Sequence, residues 1–314
     1  MEAKAIIVIG MHRSGTSALS GELAQFGVFM GKHLFKAQAG VNDKGFWENA
    51  HLVDFNDQLF DELGSSWEDP CYCLHPARSF SEAWQQRALQ LIEQEYAGSA
   101  VWGMKDPRVS VLLPLWRPVL ERSPAQINYL LMIRNPVEVA GSLAKRDGFS
   151  QAKGLMLWLN YNFLAYRETN QSSRLVVDFA DLLASPETVR RQISEGFELD
   201  LTTQGSGSFI EQKLRRNVAS AVHREGELAR LAEQTYQAIL AGDPDLVEQL
   251  YQQYQQYLSQ LDPVLVEHIL RLQRSESDYR NLFESAYRSF TWKLSWPLRT
   301  LEKRLTKALL PKGS

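Results

Sequence analysis

"AIIVIGMHRSGTSAL", Ala5 to Leu19, is the stretch on which the fold turns. A short apolar, β-branched run ends at Gly10, a turn runs to Gly15, and a helix-forming segment begins at Thr16. A strand entering a helix through such a turn presents several backbone N–H groups at the helix N-terminus. Together with the helix dipole they make an anion site. The triphosphate version of this loop reads GxxxxGK followed by Ser or Thr, and its lysine reaches the β and γ phosphates. Here Thr16 stands in the lysine position and the positive charge lies upstream at Arg13. Thr16 and Ser17 still offer hydroxyls. The expected ligand is a terminal phosphate carrying one extra reactive group, with a cation over the bridging oxygen.

Further apolar runs read as strands of the same parallel sheet: Lys4 to Gly10, Ala100 to Asp106, Ile127 to Arg134 and Arg174 to Leu183. Helical patterns cover Thr16 to Phe26, Ser81 to Tyr96, Val137 to Lys145 and Gln151 to Thr169. Alternation of this kind predicts a doubly wound α/β sheet. The chain has 314 residues, 44% of them hydrophobic, enough for a sizeable core. The composition changes after the Gly/Ser-rich stretch at 204–208. Residues 1–220 are read as the α/β domain and 221–314 as a helical appendage, a hairpin or coiled-coil stub, with a basic amphipathic tail. The net charge of −3 excludes a bulk polyanion binder. Cys71 and Cys73 are too close in sequence for an unstrained disulfide and match no metal-ligand spacing. Free thiols and no leader or membrane span suggest a cytoplasmic protein.

"HRSGTSAL" resembles the 5′-phosphosulfate-binding loop of sulfotransferases that use 3′-phosphoadenosine 5′-phosphosulfate (PAPS). The resemblance implies that His12, Arg13, Ser14, Gly15, Thr16 and Ser17 hold the donor's 5′ end. A second segment, "MIRNPVEVAGSLAKR", is similar to that family's 3′-phosphate clamp, an Arg at a strand end and a Ser eight residues on, here Arg134 and Ser142. The physics agrees. Arg134 leaves the strand's C-terminal end, Pro136 starts a helix, and Ser142 lies two turns along it. A guanidinium fork plus a hydroxyl suits a dianion. "GFWEN" (Gly45 to Asn49), "KDPR" (Lys105 to Arg108) and "FIEQKLRRN" (Phe209 to Asn217) resemble segments of bacterial members, and the last places Arg215 near the nucleotide. Related enzymes read "YEDLL" where this chain has "FADLL", so Phe179 removes a hydroxyl. The resemblance spans about Ala5 to Asn217.

It implies sulfuryl transfer, with PAP as product and no metal. An acceptor hydroxyl needs a base, and Glu48 in "GFWEN" is the first candidate. His12, His33, His51 and Asp106 are the alternatives, His12 more naturally a nucleotide contact. Lys105 either adds charge at the sulfuryl group or belongs to a strand-end turn. Arg108, Lys213, Arg215 and Arg216 are either donor contacts or solvated charge. The tail from Ser289 to Lys312 resembles tails of bacterial surface-polysaccharide enzymes. It suggests a sugar hydroxyl of a cell-surface glycan or its lipid-linked precursor as acceptor, and the tail itself suits peripheral membrane contact or docking on this chain or a second copy. A P-loop kinase of a small molecule and a non-catalytic nucleotide-binding scaffold remain the other readings.

Overall fold

The computed structural model describes residues 3–35, 45–74, 80–201 and 226–295. Four parallel strands form one sheet in the order β2-β1-β3-β4. They are β1 Lys4–Ile9, β2 Val101–Lys105, β3 Gln126–Ile133 and β4 Arg174–Asp178. Ile7 of the inner strand β1 lies opposite Met104 on one side and Tyr129 on the other. Ala5 to Ile9 have no exposed surface at all. A strand covered on both faces needs apolar residues at every position, which is why "AIIVI" does not alternate.

Successive side chains of β1 enter two cores. Ala5, Ile7 and Ile9 pack in the larger one, and Ile6 and Val8 in the smaller. Helices therefore cover both faces, as a doubly wound sheet requires. The smaller core receives α1 (Thr16–Gln25), α7 (Phe179–Ala184) and α8 (Pro186–Gly196). The larger one receives α2 (Ala50–Glu62), α3 (Glu82–Tyr96), α4 (Val109–Glu121), α5 (Pro136–Asp147) and α6 (Gln151–Glu168).

The helix that carries Ser142 has clear boundaries. The Asn135 side chain accepts from the N–H groups of Val137 and Glu138, Pro136 fills the first position, and Gly148 closes α5 in the left-handed conformation. A cap of this kind contributes about 1 kcal/mol. β4 is shorter than the run Arg174 to Leu183 suggests. The Asp178 carboxylate accepts from the Ala180 N–H, and the chain turns helical from Phe179. α4 contains Pro114 and Pro118, residues that read as breaks in a sequence.

The larger core does not stop at residue 220. Leu228, Leu231 and Ile239 of α9 (Glu227–Ala241) and Val247, Leu250 and Tyr254 of α10 (Pro244–Ser259) share it with Ile7 and Leu131. The Tyr254 hydroxyl donates to Asn160 Oδ1 of α6 at 2.8 Å. α11 (Pro263–Arg288) and the short α12 (Phe290–Leu294) differ. Leu265, Leu272, Tyr279, Leu282 and Phe283 on α11 are exposed. Among the described residues no helix is long and apolar enough to cross a membrane. Lys213, Arg215, Arg216 and the tail from 296 lie outside the described residues. Both cysteines are free, and burial pushes their thiols up, to about 11 at Cys71 and about 12 at Cys73. Neither has the thiolate character of a nucleophile.

Candidate active site

The site forms at the C-terminal ends of the strands, where open α/β sheets bind ligands. The loop from Gly10 to Gly15 is held in place from three sides. The Gly10 N–H donates to Ser110 Oγ at 2.8 Å, and that hydroxyl donates back to the Gly10 carbonyl at 3.2 Å. A Cβ at Gly10 would strike the Met132 carbonyl, and one at Gly15 the Phe179 ring. Both glycines also have positive φ, 137° and 100°. At the loop tip Arg13 is itself left-handed, with φ 68°. That conformation costs a residue with a Cβ about 1 kcal/mol. Such strain persists where the surroundings fix the loop shape, and clusters at ligand sites.

Gly15 caps α1 without any side-chain hydrogen bond, so the first-turn amides have no capping side chain. Thr16 opens the helix, buried. The Ser14 hydroxyl is buried with no hydrogen-bond partner among the described residues, and so is Nε2 of His12. The His12 ring packs on Trp67 and Tyr161, with centroids 4.6 and 5.8 Å away. Burial holds its pKa well below 6.5, and the charges of Arg108, Arg146, Lys105 and Arg13 push it the same way. Burial first, and these cations second, favour the neutral imidazole. Four cationic side chains thus converge near His12, among them Lys105, paired with Glu48, and Arg108, paired with Asp57 and Asp106.

Arg134 and Ser142 meet the loop directly. Arg13 Nε donates to Ser142 Oγ at 2.9 Å, and Arg134 Nη1 donates to the Arg13 carbonyl at 3.2 Å. The two motifs thus form one continuous surface. Arg134 is oriented on all sides. Its Nη2 lies 2.8 Å from the Glu138 carboxylate, and its guanidinium stacks 4.5 Å from the Phe179 ring. Phe179, read from the sequence as a lost hydroxyl, is a wall shared by Gly15 and Arg134. Behind them the Trp158 indole N–H donates to the Arg134 carbonyl at 2.9 Å. Trp158 packs edge-on against Tyr236 of α9, whose hydroxyl donates to Asp178.

Lys105 ends β2, 2% exposed, and gathers the remaining candidates. Its Nζ donates to Glu48 Oε1 at 2.5 Å, to Ser17 Oγ at 3.2 Å and to the Phe46 carbonyl at 3.0 Å. One buried ammonium therefore ties the first turn of α1 to the segment carrying Glu48. Trp47, beside it, is left-handed with φ 57°. The other base candidates lie differently. Asp106 is fully buried and taken up by Asn56, at 2.9 Å, and by Arg108. His33 and His51 turn towards Glu95 instead. Arg108 is anchored to Asp57 at 2.8 Å and Asp106 at 3.1 Å, while Arg146 comes from the last turn of α5. Arg146 and Ser110 were not candidates from sequence, where nothing marks them as neighbours of the loop.

Fold and site together define an α/β protein with a lysine-free phosphate-type loop beside a second Arg/Ser clamp. No family model matches the chain, and no curated protein matches it. Solved structures similar to the chain include two sulfotransferase domains. The sulfotransferase domain from the Synechococcus PCC 7002 olefin synthase is 19% identical, with 74% of this chain and 94% of that one covered and a TM-score of 0.43. The sulfotransferase domain from the curacin biosynthetic pathway is 16% identical, with 74% and 97% covered and a TM-score of 0.48. At these values the likeness adds nothing to what the site's own geometry argues.

Proposed function

We propose that this chain is a PAPS-dependent sulfotransferase acting on a hydroxyl of a carbohydrate, within a cell-surface glycan or its lipid-linked precursor. One observation carries the reading. A phosphate-type loop without its lysine touches a second cationic clamp, through Arg13 to Ser142 and Arg134 to Arg13. A nucleotide with phosphate groups on the 3′ and 5′ positions of one ribose suits two such adjoining anion sites. The orphaned Ser14 hydroxyl and His12 Nε2 are the unsatisfied groups expected of a site that awaits polar ligand atoms.

PAPS, when bound, would supply a sulfuryl group already activated for transfer. The chain's residues then need only align the partners and balance charge. Arg13, the α1 amides, Thr16 and Ser17 would hold the 5′ end, and Arg134 and Ser142 the 3′-phosphate. Ser142 would exchange its bond from Arg13 for one to phosphate. Glu48 accepts the proton of the acceptor hydroxyl as the acceptor oxygen takes the sulfuryl group and PAP leaves. Lys105 orients Glu48 and offsets negative charge at the reacting centre. Arg215 adds to the nucleotide contacts in this reading. The exposed apolar side chains of α11 suit a second copy, and the basic tail suits an anionic membrane surface.

The test has two parts. Calorimetry with PAP and with ATP–Mg²⁺ distinguishes the donor. Selective binding of PAP is expected, and ATP–Mg²⁺ alone would indicate a kinase. Binding of neither would indicate a scaffold. Transfer from labelled PAPS is then screened over glycans, lipids and phenols. Glu48→Gln should keep PAP affinity and lose about 10²-fold or more in turnover. Full activity in that variant removes Glu48 as the base.

A further inference from the structure

A second cluster of functional side chains lies apart from the loop, at the foot of the Glu48 segment. The strip Gly31 to Phe35 pairs with the start of α2. The Ala50 N–H donates to the His33 carbonyl at 2.7 Å, and the Phe35 N–H to the Glu48 carbonyl at 2.9 Å. Beneath this pairing sits Glu95, near the end of α3 and 1% exposed. One carboxylate oxygen, Oε2, is taken by three donors: Asn49 Nδ2 at 2.5 Å and the N–H groups of Lys32 and His33 at 3.2 Å each. The other, Oε1, faces two imidazoles. His33 Nδ1 and His51 Nδ1 each lie 2.8 Å from it, and the two rings are 4.4 Å apart. One acceptor oxygen with two imidazole nitrogens, all within 4.8 Å of one another, is a compact donor triangle.

We propose that His33, His51 and Glu95 form a binding site for one divalent transition-metal ion of the zinc class, clasping the foot of the Glu48 segment to α3. Two imidazole nitrogens and one carboxylate oxygen, with a fourth position left to water, is a donor set zinc accepts. Hard cations such as Ca²⁺ and Mg²⁺ need more oxygens than this triangle supplies. The bond lengths require only a small adjustment. Zinc sits about 2.0–2.2 Å from such donors, and both rings are half exposed, so a small rotation meets solvent rather than packed protein. The outer support is already built, because Asn49 and two backbone amides fix the carboxylate through its second oxygen. When the ion binds, each ring carries its proton on Nε2 and presents Nδ1 as ligand. His51 also lines a cleft between α2 and α3, about 250 Å³, which gives the ion an entry path. The inference stands whether or not the chain transfers sulfuryl groups.

The experiment uses the full chain without a histidine tag, stripped with a chelator. Zn²⁺ is titrated by calorimetry, and Co²⁺ by its visible absorption. The expected result is one ion per chain, a tetrahedral-type Co²⁺ spectrum lost on adding Zn²⁺, and a raised melting temperature with Zn²⁺. His33→Ala and His51→Ala, both at half-exposed positions, should each weaken binding by about 10²-fold, as loss of a ligand does when loss of mere outer support costs 10–100-fold. Glu95→Gln should lose binding too. His33→Gln and His51→Gln give the same comparison if an alanine variant misfolds. No binding by the unaltered chain at about 100 μM Zn²⁺, an affinity weaker than about 5.5 kcal/mol, overturns the proposal. Unchanged affinity in both histidine variants overturns it equally.

Discussion

Replacing Lys105 by Met removes the ammonium that joins Ser17, Phe46 and Glu48 while keeping most of its volume. Lys105 is 2% exposed and Glu48 14%. The pair is buried, so water does little to compensate the carboxylate left behind. Breaking one half of a buried ion pair costs about 3–5 kcal/mol. For a chain of this size that corresponds to a fall of roughly 6–10 °C in Tm. The companion change Glu48→Gln removes the orphaned charge. Lys105→Met with Glu48→Gln should therefore recover most of the loss, because uncharged groups of similar volume replace a buried pair at little cost. The coupling between the two sites should be at least about 2 kcal/mol. Urea unfolding of all four chains measures it, with the slope held constant as the check that only stability has changed. A loss under about 1 kcal/mol for Lys105→Met, or additive effects in the double variant, would refute the claim that this pair holds the Glu48 segment to the loop.

Arg134→Ala should weaken PAP binding by about 10- to 100-fold, the worth of charge-assisted hydrogen bonds to a dianion. Calorimetry reads it, and unchanged affinity would dissociate Arg134 from the ligand. His12 gives the protein a pH dependence. Its folded pKa lies below 6.5, so below that pH the unfolded chain binds more protons than the folded one. Stability should be fully present above pH 6.5 and fall as the pH drops. His12→Gln should flatten that slope, and parallel unfolding curves for both chains would discount the effect. A chain ending at residue 220 should not fold cooperatively, since Leu231, Ile239, Leu250 and Tyr254 are nearly or wholly inaccessible parts of the main core. A two-state transition in the shortened chain, seen by circular dichroism, would mark 1–220 as an independent unit.

The parts of this molecule legible in its sequence are those where one local requirement dominates. The run "AIIVI" has to be apolar throughout because β1 is covered on both faces, and Gly10 and Gly15 stand where a Cβ has no room. Arg134 and Ser142 were paired through the resemblance of "MIRNPVEVAGSLAKR" to a known family motif, with Pro136 marking where α5 begins. The rest depends on partners distant in sequence. The apolar string after Arg174 looks like one strand until Asp178 caps a helix inside it. Pro114 and Pro118 hide α4, which the core supports despite them. Leucines at helical spacing in α9 and α10 reveal an apolar face but not what covers it, so an appendage was expected where the larger core continues. Arg146 joins His12's surroundings, and Glu95 meets two histidines, only through the packing of α5, α2 and α3.

Trp158 has one further consequence. Its indole N–H grips the backbone of Arg134 while its ring leans on Tyr236, a residue of the helix that closes the core from the far end of the chain. If the proposed nucleotide site is right, ligand affinity and resistance to heat should therefore decline in step when Tyr236 is altered, although Tyr236 reaches Arg134 only through Trp158. A screen that ranks variants by melting temperature would discard weak binders here without anyone having assayed binding, and one that ranks by binding would enrich for well-packed chains.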